Sequence, residues 1–390
     1  MIDGGSGALP AVVPPRIAMV AGEASGDLLA GMLLAALRAR WPGLVAAGIG
    51  GPKMAVQGFE AWWPHERLAV RGYAEVLRHY RGLVAIRRQL GDRLLRERPD
   101  VFIGVDAPDF NLGLEARLRA AGIRTVQFVS PSIWAWRPER VHQVGQSADL
   151  VLCLFPFEPA LYAAHGIAAT YVGHPLADAI PLEPPREASR TALGLGADDT
   201  VVALLPGSRR SEIEYIAPRL LGAAALMHRA RPALRFVLPI VPGLRAMIEP
   251  LLAQFAPGTP VTLLDGGSHE ALAACDVVLV ASGTATLETA LFKRPMVIAY
   301  NMHWLSWQWM RRKKMLPWVG LPNILLRDMA VPELLQAEAT PERLATAALA
   351  WLDDPARAAV LRERFVRLHL DLRRNTAQAA TDALASLLAR

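Results

Sequence analysis

The sequence predicts an α/β fold of two doubly wound, Rossmann-like domains facing a cleft, and three observations carry that prediction. Short β-rich runs alternate with amphipathic stretches, the pattern of parallel strands joined by helical crossovers. The alternation runs through the chain twice, interrupted by Pro181-Leu182-Glu183-Pro184-Pro185. The 390 residues, 53% of them hydrophobic, supply enough apolar volume for two cores.

In the first pass the expected strands are Ile17–Ala21, Ala46–Ile49, Val101–Val105, Thr125–Val129, Leu150–Leu154 and Thr170–Val172, with helices such as Asp27–Arg40 and Leu112–Ala121 between them. The second pass gives strands at Val201–Leu205, Arg235–Ile240, Val261–Leu264, Val277–Val280 and Met296–Ala299. Residues 1–15, rich in Gly, Ala and Pro and without a basic start, read as a disordered extension and not as a signal peptide. The expected division is an N-terminal domain over 16–180, a linker over 181–186, a C-terminal domain over 187–355 and C-terminal helices over 356–390 that pack back on the first domain.

Cys153 and Cys275 sit in apolar runs far apart, so they read as buried hydrophobes in a reducing compartment. No zinc-type spacing exists, and no metal site is expected. No stretch of eighteen residues has the uncharged apolar character of a membrane span, which leaves a soluble or peripheral chain. The net charge of +6 admits an anionic partner: nucleic acid, anionic lipid or a phosphorylated substrate. Charge alone does not choose among them, since only four of the 42 basic residues are lysines and Arg richness can reflect composition bias.

Ligands of doubly wound sheets bind beyond the carboxyl ends of the strands. The first strand ends in Val20-Ala21-Gly22-Glu23-Ala24-Ser25-Gly26-Asp27. Its glycines permit a tight turn, Ser25 or Asp27 can cap the next helix, and Glu23 can order an acceptor hydroxyl or pair with an arginine. The third strand ends in Gly104-Val105-Asp106-Ala107-Pro108-Asp109-Phe110-Asn111. Asp109 or Asn111 can cap the following helix. Asp106, at the end of an apolar strand and held by an Ala-Pro turn, suits a general base whose pKa partial burial raises.

The second domain carries two phosphate-type signals. In Leu205-Pro206-Gly207-Ser208-Arg209-Arg210-Ser211-Glu212, Gly207 lets the backbone approach an anion, Ser208 adds a hydroxyl and Arg209 a planar fork of donors. In Ala281-Ser282-Gly283-Thr284-Ala285-Thr286-Leu287-Glu288, a helix start favours a diphosphate. Glu288, one turn beyond Thr284, is placed to accept from two ribose hydroxyls. There is neither a lysine-bearing P-loop nor a dinucleotide fingerprint. The implied ligand is a nucleoside diphosphate held without Walker-type magnesium chemistry.

Aromatic and basic residues gather twice, around Trp62, Trp63, Tyr73 and Arg78, and again at Trp304, Trp307, Trp309 and Arg311. This mixture suits a lipid headgroup boundary, ahead of a half-core role or stacking on single-stranded nucleic acid.

Taken in order, Ala21–Asp27 (AGEASGD), Gly48–Met54 (GIGGPKM), Gly104–Asn111 (GVDAPDFN), Val129–Arg137 (VSPSIWAWR), Val172–Asp178 (VGHPLAD), Leu204–Glu212 (LLPGSRRSE) and Ala281–Glu288 (ASGTATLE) resemble the motifs of the lipid A disaccharide synthase family, inverting glycosyltransferases of the GT-B type. The resemblance spans the chain from about residue 16 to the C-terminal helices. It implies transfer of 2,3-diacylglucosamine from UDP-2,3-diacylglucosamine to 2,3-diacylglucosamine 1-phosphate, with no metal or other cofactor. It implies Asp106 as base, Arg209 with Ser282, Gly283 and Thr284 on the diphosphate, Glu288 on the ribose, and Asn323 on the nucleotide side. Glu23, Ser25, Gly26, Asp27, Asp109 and His174 would belong to the acceptor side, although His174 equally suits a loop-satisfying role. The two Trp and Arg clusters become contacts for acyl chains and an anionic phospholipid surface, placing the protein peripherally on the cytoplasmic face of the inner membrane. No nucleic-acid partner is expected, and a homodimer is admitted through exchange of the C-terminal helix. Two other classes share the architecture: sugar-nucleotide 2-epimerases, and a non-catalytic nucleotide-binding membrane scaffold.

Overall fold

The computed structural model describes residues 14–64, 67–68, 73–302 and 315–389, apart from the side chains of 24 and 73–80. Most of the extension expected over 1–15 lies outside the described residues. The chain divides into two units, Met1–Pro175 with Arg374–Arg390, and Leu176–Arg373.

The first unit is a seven-stranded sheet in the order β3-β2-β1-β4-β5-β6-β7. Its strands are β1 (Arg16–Ala21), β2 (Val45–Gly50), β3 (Glu60–Pro64), β4 (Val101–Val105), β5 (Arg124–Phe128), β6 (Leu150–Cys153) and β7 (Ala169–Tyr171). All neighbours pair parallel. Both faces are covered, so β1 is apolar and buried from Ile17 to Ala21, behind the exposed Arg16. Ile17, Met19 and Ala21 join one core with helix α1 (Ala24–Arg40). Ala18 and Val20 join another with α3 (Tyr73–Glu97) and α4 (Pro108–Ala120).

The second unit has six parallel strands in the order β10-β9-β8-β11-β12-β13. These are β8 (Val201–Leu205), β9 (Arg235–Ile240), β10 (Val261–Asp265), β11 (Val277–Ala281), β12 (Met296–Tyr300) and β13 (Glu333–Leu335). In each sheet the winding reverses once, between β1 and β4 in the first unit and between β8 and β11 in the second. Such reversal points open the crevices that doubly wound sheets use for ligands.

Three expectations are corrected. The chain enters the second unit at Leu176, so the proline-rich linker belongs to that unit. Its entry segment is tied down there: buried His369 donates through Nε2 to the Ala177 carbonyl (2.8 Å) and accepts through Nδ1 from Lys293 Nζ (2.8 Å), which also donates to the Pro181 carbonyl (3.2 Å). Of the C-terminal helices, Pro355–Leu372 stays in the second unit and buries Leu361, Phe365, Leu368 and Leu372 there. Only Thr376–Leu388 returns, because Ala380 and Leu384 complete the core around Leu33, Leu34 and Leu37 of α1. Finally, Trp62 and Trp63 stand on the edge strand β3, which the sequence reading missed. They pack partly buried against the Val20, Ile49 and Phe102 core, with the Arg93 guanidinium 3.6 Å above the Trp62 ring. The core role therefore wins at these two residues.

Candidate active site

In the first unit the crevice between β1 and β4 gathers Glu23 and Asp106. Asp106 (φ 54°) and Ala107 (φ 42°) both adopt left-handed backbone, a rare and strained state for non-glycine residues. Side chains beneath hold that turn. The Asp106 carbonyl accepts from Asn111 Nδ2 (2.8 Å) and Gln127 Nε2 (3.2 Å). Gln127 Nε2 also donates to the carbonyl of Val129 (3.1 Å), itself at φ 79° on the next loop. One buried amide thus fixes two strained turns. Burial raises the pKa of the Asp106 carboxyl, its backbone bond with Ala107 opposes that shift, and the nearby charge of Glu23 reinforces it. A base needs this character, held ready to take a proton yet not fully solvated.

Asp27 behaves otherwise. Its side chain is 2% exposed and accepts from the backbone N–H groups of Gly51 (2.8 Å), Lys53 (2.9 Å) and Met54 (3.2 Å), closing the start of helix α2 (Pro52–Val56). It does not cap α1, because its buried carboxylate serves the turn before α2. Ser25 does not cap either; α1 begins at Ala24, behind Glu23, with no side-chain cap. Ser25 is exposed and Gly26 is buried. The next helix follows suit: α4 starts behind Ala107, so Asp109 and Asn111 are not its N-cap. Asp109 is largely exposed and pairs with Arg140.

His174 is buried and stacks on Phe155, ring centroids 5.7 Å apart. Phe155 and Phe157 meet Trp134 edge to face, and Trp134 Nε1 donates to Glu158 Oε1 (3.0 Å). This aromatic group, built from the loops after β5, β6 and β7, was not foreseen from sequence. Burial pushes the Glu158 carboxyl up to about 7.

In the second unit a cavity of about 340 Å³ opens at the β8/β11 reversal, lined by Gly207, Ser208, Arg209, Glu212, Ser268, Ser282, Gly283, Thr284 and Glu288 among others. Both phosphate-type motifs are brought to it. At the first, Gly207 (φ 112°) has no room for a side chain, since a Cβ would meet Glu212 Oε2 at 2.5 Å. The Glu212 carboxylate accepts from the N–H groups of Ser208 (2.8 Å) and Arg209 (3.2 Å) and holds the Arg209 guanidinium at 2.8 Å. At the second, α12 (Thr284–Leu291) begins behind Gly283, where a Cβ would meet nothing within 4 Å. That open helix start directs N–H groups and dipole toward the cavity. Glu288 is raised in pKa by burial, opposed by His269, whose Nε2 lies 3.7 Å from its carboxylate. His269, in the first turn of the helix Ser268–Ala274, was missed because that segment carries no motif.

Asn323 is a correction. Fully buried, it donates to the Val331 carbonyl (2.9 Å) and to Glu333 Oε1 (2.9 Å), and accepts from Val331 N–H (3.0 Å). Glu333 in turn accepts from the N–H groups of Val319 and Gly320, while Ser282 Oγ reaches the Val319 carbonyl at 3.4 Å. Asn323 therefore braces the loop beside Ser282 instead of meeting the nucleotide. Trp304, Trp307, Trp309 and Arg311 lie outside the described residues, as do the side chains of Tyr73 and Arg78. Among the described residues no group of three or more His, Cys, Asp or Glu is placed to hold a metal ion, and no helix is long and apolar enough to cross a membrane.

Comparison with known proteins shows the family and the fold. A family model described as lipid-A-disaccharide synthetase matches residues 17–385. The lipid-A-disaccharide synthase of Albidiferax ferrireducens is 60% identical over 378 residues, covering 96% of this chain and 97% of that protein. That of Burkholderia mallei is 53% identical over 379 residues, 97% of each. Among solved structures, UDP-GlcNAc 2-epimerase from Neisseria meningitidis, bound to UDP-GlcNAc, matches with a TM-score of 0.64 at 11% identity over 96% of this chain and 100% of that one. MurG of Acinetobacter baumannii gives 0.58 at 15% identity over the same shares. At such identities the likeness is one of fold, and that fold is GT-B.

Proposed function

The chain belongs to the lipid-A-disaccharide synthetase family, and we propose on that premise how its residues carry out the transfer. It is a glycosyltransferase that moves 2,3-diacylglucosamine from UDP-2,3-diacylglucosamine to the 6-hydroxyl of 2,3-diacylglucosamine 1-phosphate. The products are the β-1,6-linked disaccharide 1-phosphate and UDP. Asp106 takes the proton of the acceptor hydroxyl as its oxygen attacks the anomeric carbon from the face opposite UDP, through an oxocarbenium-like transition state. Glu23, beside it, orders the acceptor. Negative charge grows on the departing diphosphate, and Arg209 with the N–H groups at the start of α12 neutralises it. Glu288 holds the ribose. The reading invokes no resident metal or other cofactor.

The observation that carries it is the strained Asp106 turn at the β1/β4 reversal, paired with a phosphate-type cavity at the β8/β11 reversal. Because both substrates are acylated, the reading extends to peripheral attachment at the cytoplasmic face of the inner membrane through anionic phospholipid, with the 303–314 segment as the candidate contact. It also includes a homodimer formed by exchange of the helix Thr376–Leu388; a monomer at every concentration in sedimentation would remove that part.

The test is a detergent-micelle assay with both substrates, following disaccharide and UDP. Disaccharide should form only when both are present, and Asp106→Ala should lower kcat at least about a hundredfold while UDP affinity is kept. Consumption of the UDP-sugar without acceptor would favour an epimerase instead.

A further inference from the structure

Beneath the Asp106 turn lies a group of buried oxygen atoms that no donor among the described residues reaches. Asn111 and Gln127 both turn their amide nitrogens to the Asp106 carbonyl, which leaves Asn111 Oδ1 and Gln127 Oε1 buried without partners. Both carboxyl oxygens of Glu115, a fully buried residue of α4, are likewise without partners. The three side chains converge over Gly104. A Cβ there would stand 2.2 Å from Glu115 Oε1 and 2.9 Å from Asn111 Cγ, and Gln127 is the register partner of Gly104 on β5. Asn111 and Glu115 also share one face of α4, four residues apart.

Four buried acceptor oxygens with no donor make a costly arrangement, and one proton on the carboxyl converts it into a donor with acceptors. We propose that Glu115 acts uncharged as a positioning residue for Asp106, donating its carboxyl proton to the amide oxygen of Asn111 or Gln127 and so holding the amides that clamp the turn. This inference rests on the reading of Asp106 as the base. Burial pushes the Glu115 carboxyl up to about 8 and is the only cause of that shift. Several charged groups on the elements around it are engaged elsewhere. Arg87 of α3 meets the Asp109 carbonyl, Asp92 of α3 pairs with Arg117, Arg119 with Asp149, Arg140 of the helix Arg140–Ser147 with Asp109, and Arg124 of β5 reaches the Leu388 carbonyl. Ionised, Glu115 would set a negative charge against two amide oxygens. The clamp would loosen, Asp106 and Val129 would relax from positive φ, and the base would leave its place.

The experiment compares the full chain with Glu115→Gln, Glu115→Leu and Asp106→Asn, recording kcat and KM against pH and the infrared carboxylic C=O band. Native kcat should fall as pH rises through about 8. Glu115→Gln, whose amide donates at every pH, should keep kcat within about twofold at pH 7 and lose that fall. Glu115→Leu should lower kcat at least about tenfold with little change in donor KM. Glu115→Gln should lose part of the protonated carboxylic band that the native protein shows at pH 7, the remainder belonging to Glu158. An unchanged alkaline fall in Glu115→Gln, native kcat in Glu115→Leu, or a band that Glu115→Gln leaves undiminished would each overturn the proposal. Should Glu115→Leu fail to fold, the Glu115→Gln profile and the band decide alone. An active Asp106→Asn with the band intact would remove the base reading without touching the protonation of Glu115.

Discussion

Asp27 illustrates how a residue of active-site appearance can be structural. Three backbone donors at the start of α2 converge on its carboxylate, so Asp27→Ala strands them in a buried place. The expected loss is about 3 kcal/mol, read as a lower urea midpoint, with kcat per folded molecule unchanged. A raised acceptor KM at native stability would instead return Asp27 to the substrate. Gly104 has the opposite logic, small because something else needs the space. Gly104→Ala drives a methyl into Glu115 Oε1 and Asn111, so stability should fall by about 2 kcal/mol, and kcat should fall further than stability alone explains. Native kcat in that variant would show that the clamp does not matter to the base.

At the scale of elements, the loops at each reversal are shaped by side chains from below. Helix α12 offers Glu288 to the cavity from its second turn, and Glu288→Gln should weaken UDP binding about tenfold in calorimetry by losing a charged acceptor for the ribose hydroxyls. Unchanged affinity would assign the ribose elsewhere. Helices α4 and α6 (Glu158–Ala163) each bury a glutamic acid, Glu115 pushed up to about 8 and Glu158 to about 7, against an ordinary value of 4.5. With these groups the native state keeps protons that the unfolded chain has already lost. Their stabilising effect is complete below pH 4.5 and disappears as pH rises toward 7 and 8. Tm should therefore fall across that window, and Glu115→Gln or Glu158→Gln should flatten the fall. A Tm that rises between pH 5 and 8 in the native protein and both variants would contradict this assignment.

For the whole molecule, the positive net charge of +6 and acylated substrates point to a lipid surface. Binding to vesicles containing phosphatidylglycerol should exceed binding to neutral vesicles and weaken as salt rises from 50 to 500 mM, since screening shortens electrostatic reach from about 14 Å to about 4 Å. Equal binding to both vesicle types would leave charge out of the attachment. Each unit has its own sheet and buried core, and the chain crosses between them at Pro175–Leu176 and Arg373–Arg374.

The sequence by itself determined the α/β class, the doubling of the unit and eleven of the strands to within about two residues, because apolar periodicity and turn chemistry are local properties, while the family was carried by the resemblance of its motifs. The short edge strands β3 and β13 escaped it, being polar or proline-ended and stabilised by their neighbours. Asp106, Arg209, Gly207 and Glu288 were legible as residues that follow strand ends. The uses of Asp27, Asn111 and Asn323 were not, since a short polar side chain near a helix start reads as a cap or a ligand until its partners are known. Asp27 finds them 24 to 27 residues away and Asn323 eight to ten away. Gln127 and Glu115 did not stand out in the sequence, since each shares its strand or helix face with another polar residue, Thr125 and Asn111. Only the tertiary structure shows that they meet under a strained turn, because burial and hydrogen-bond satisfaction depend on what the fold brings together.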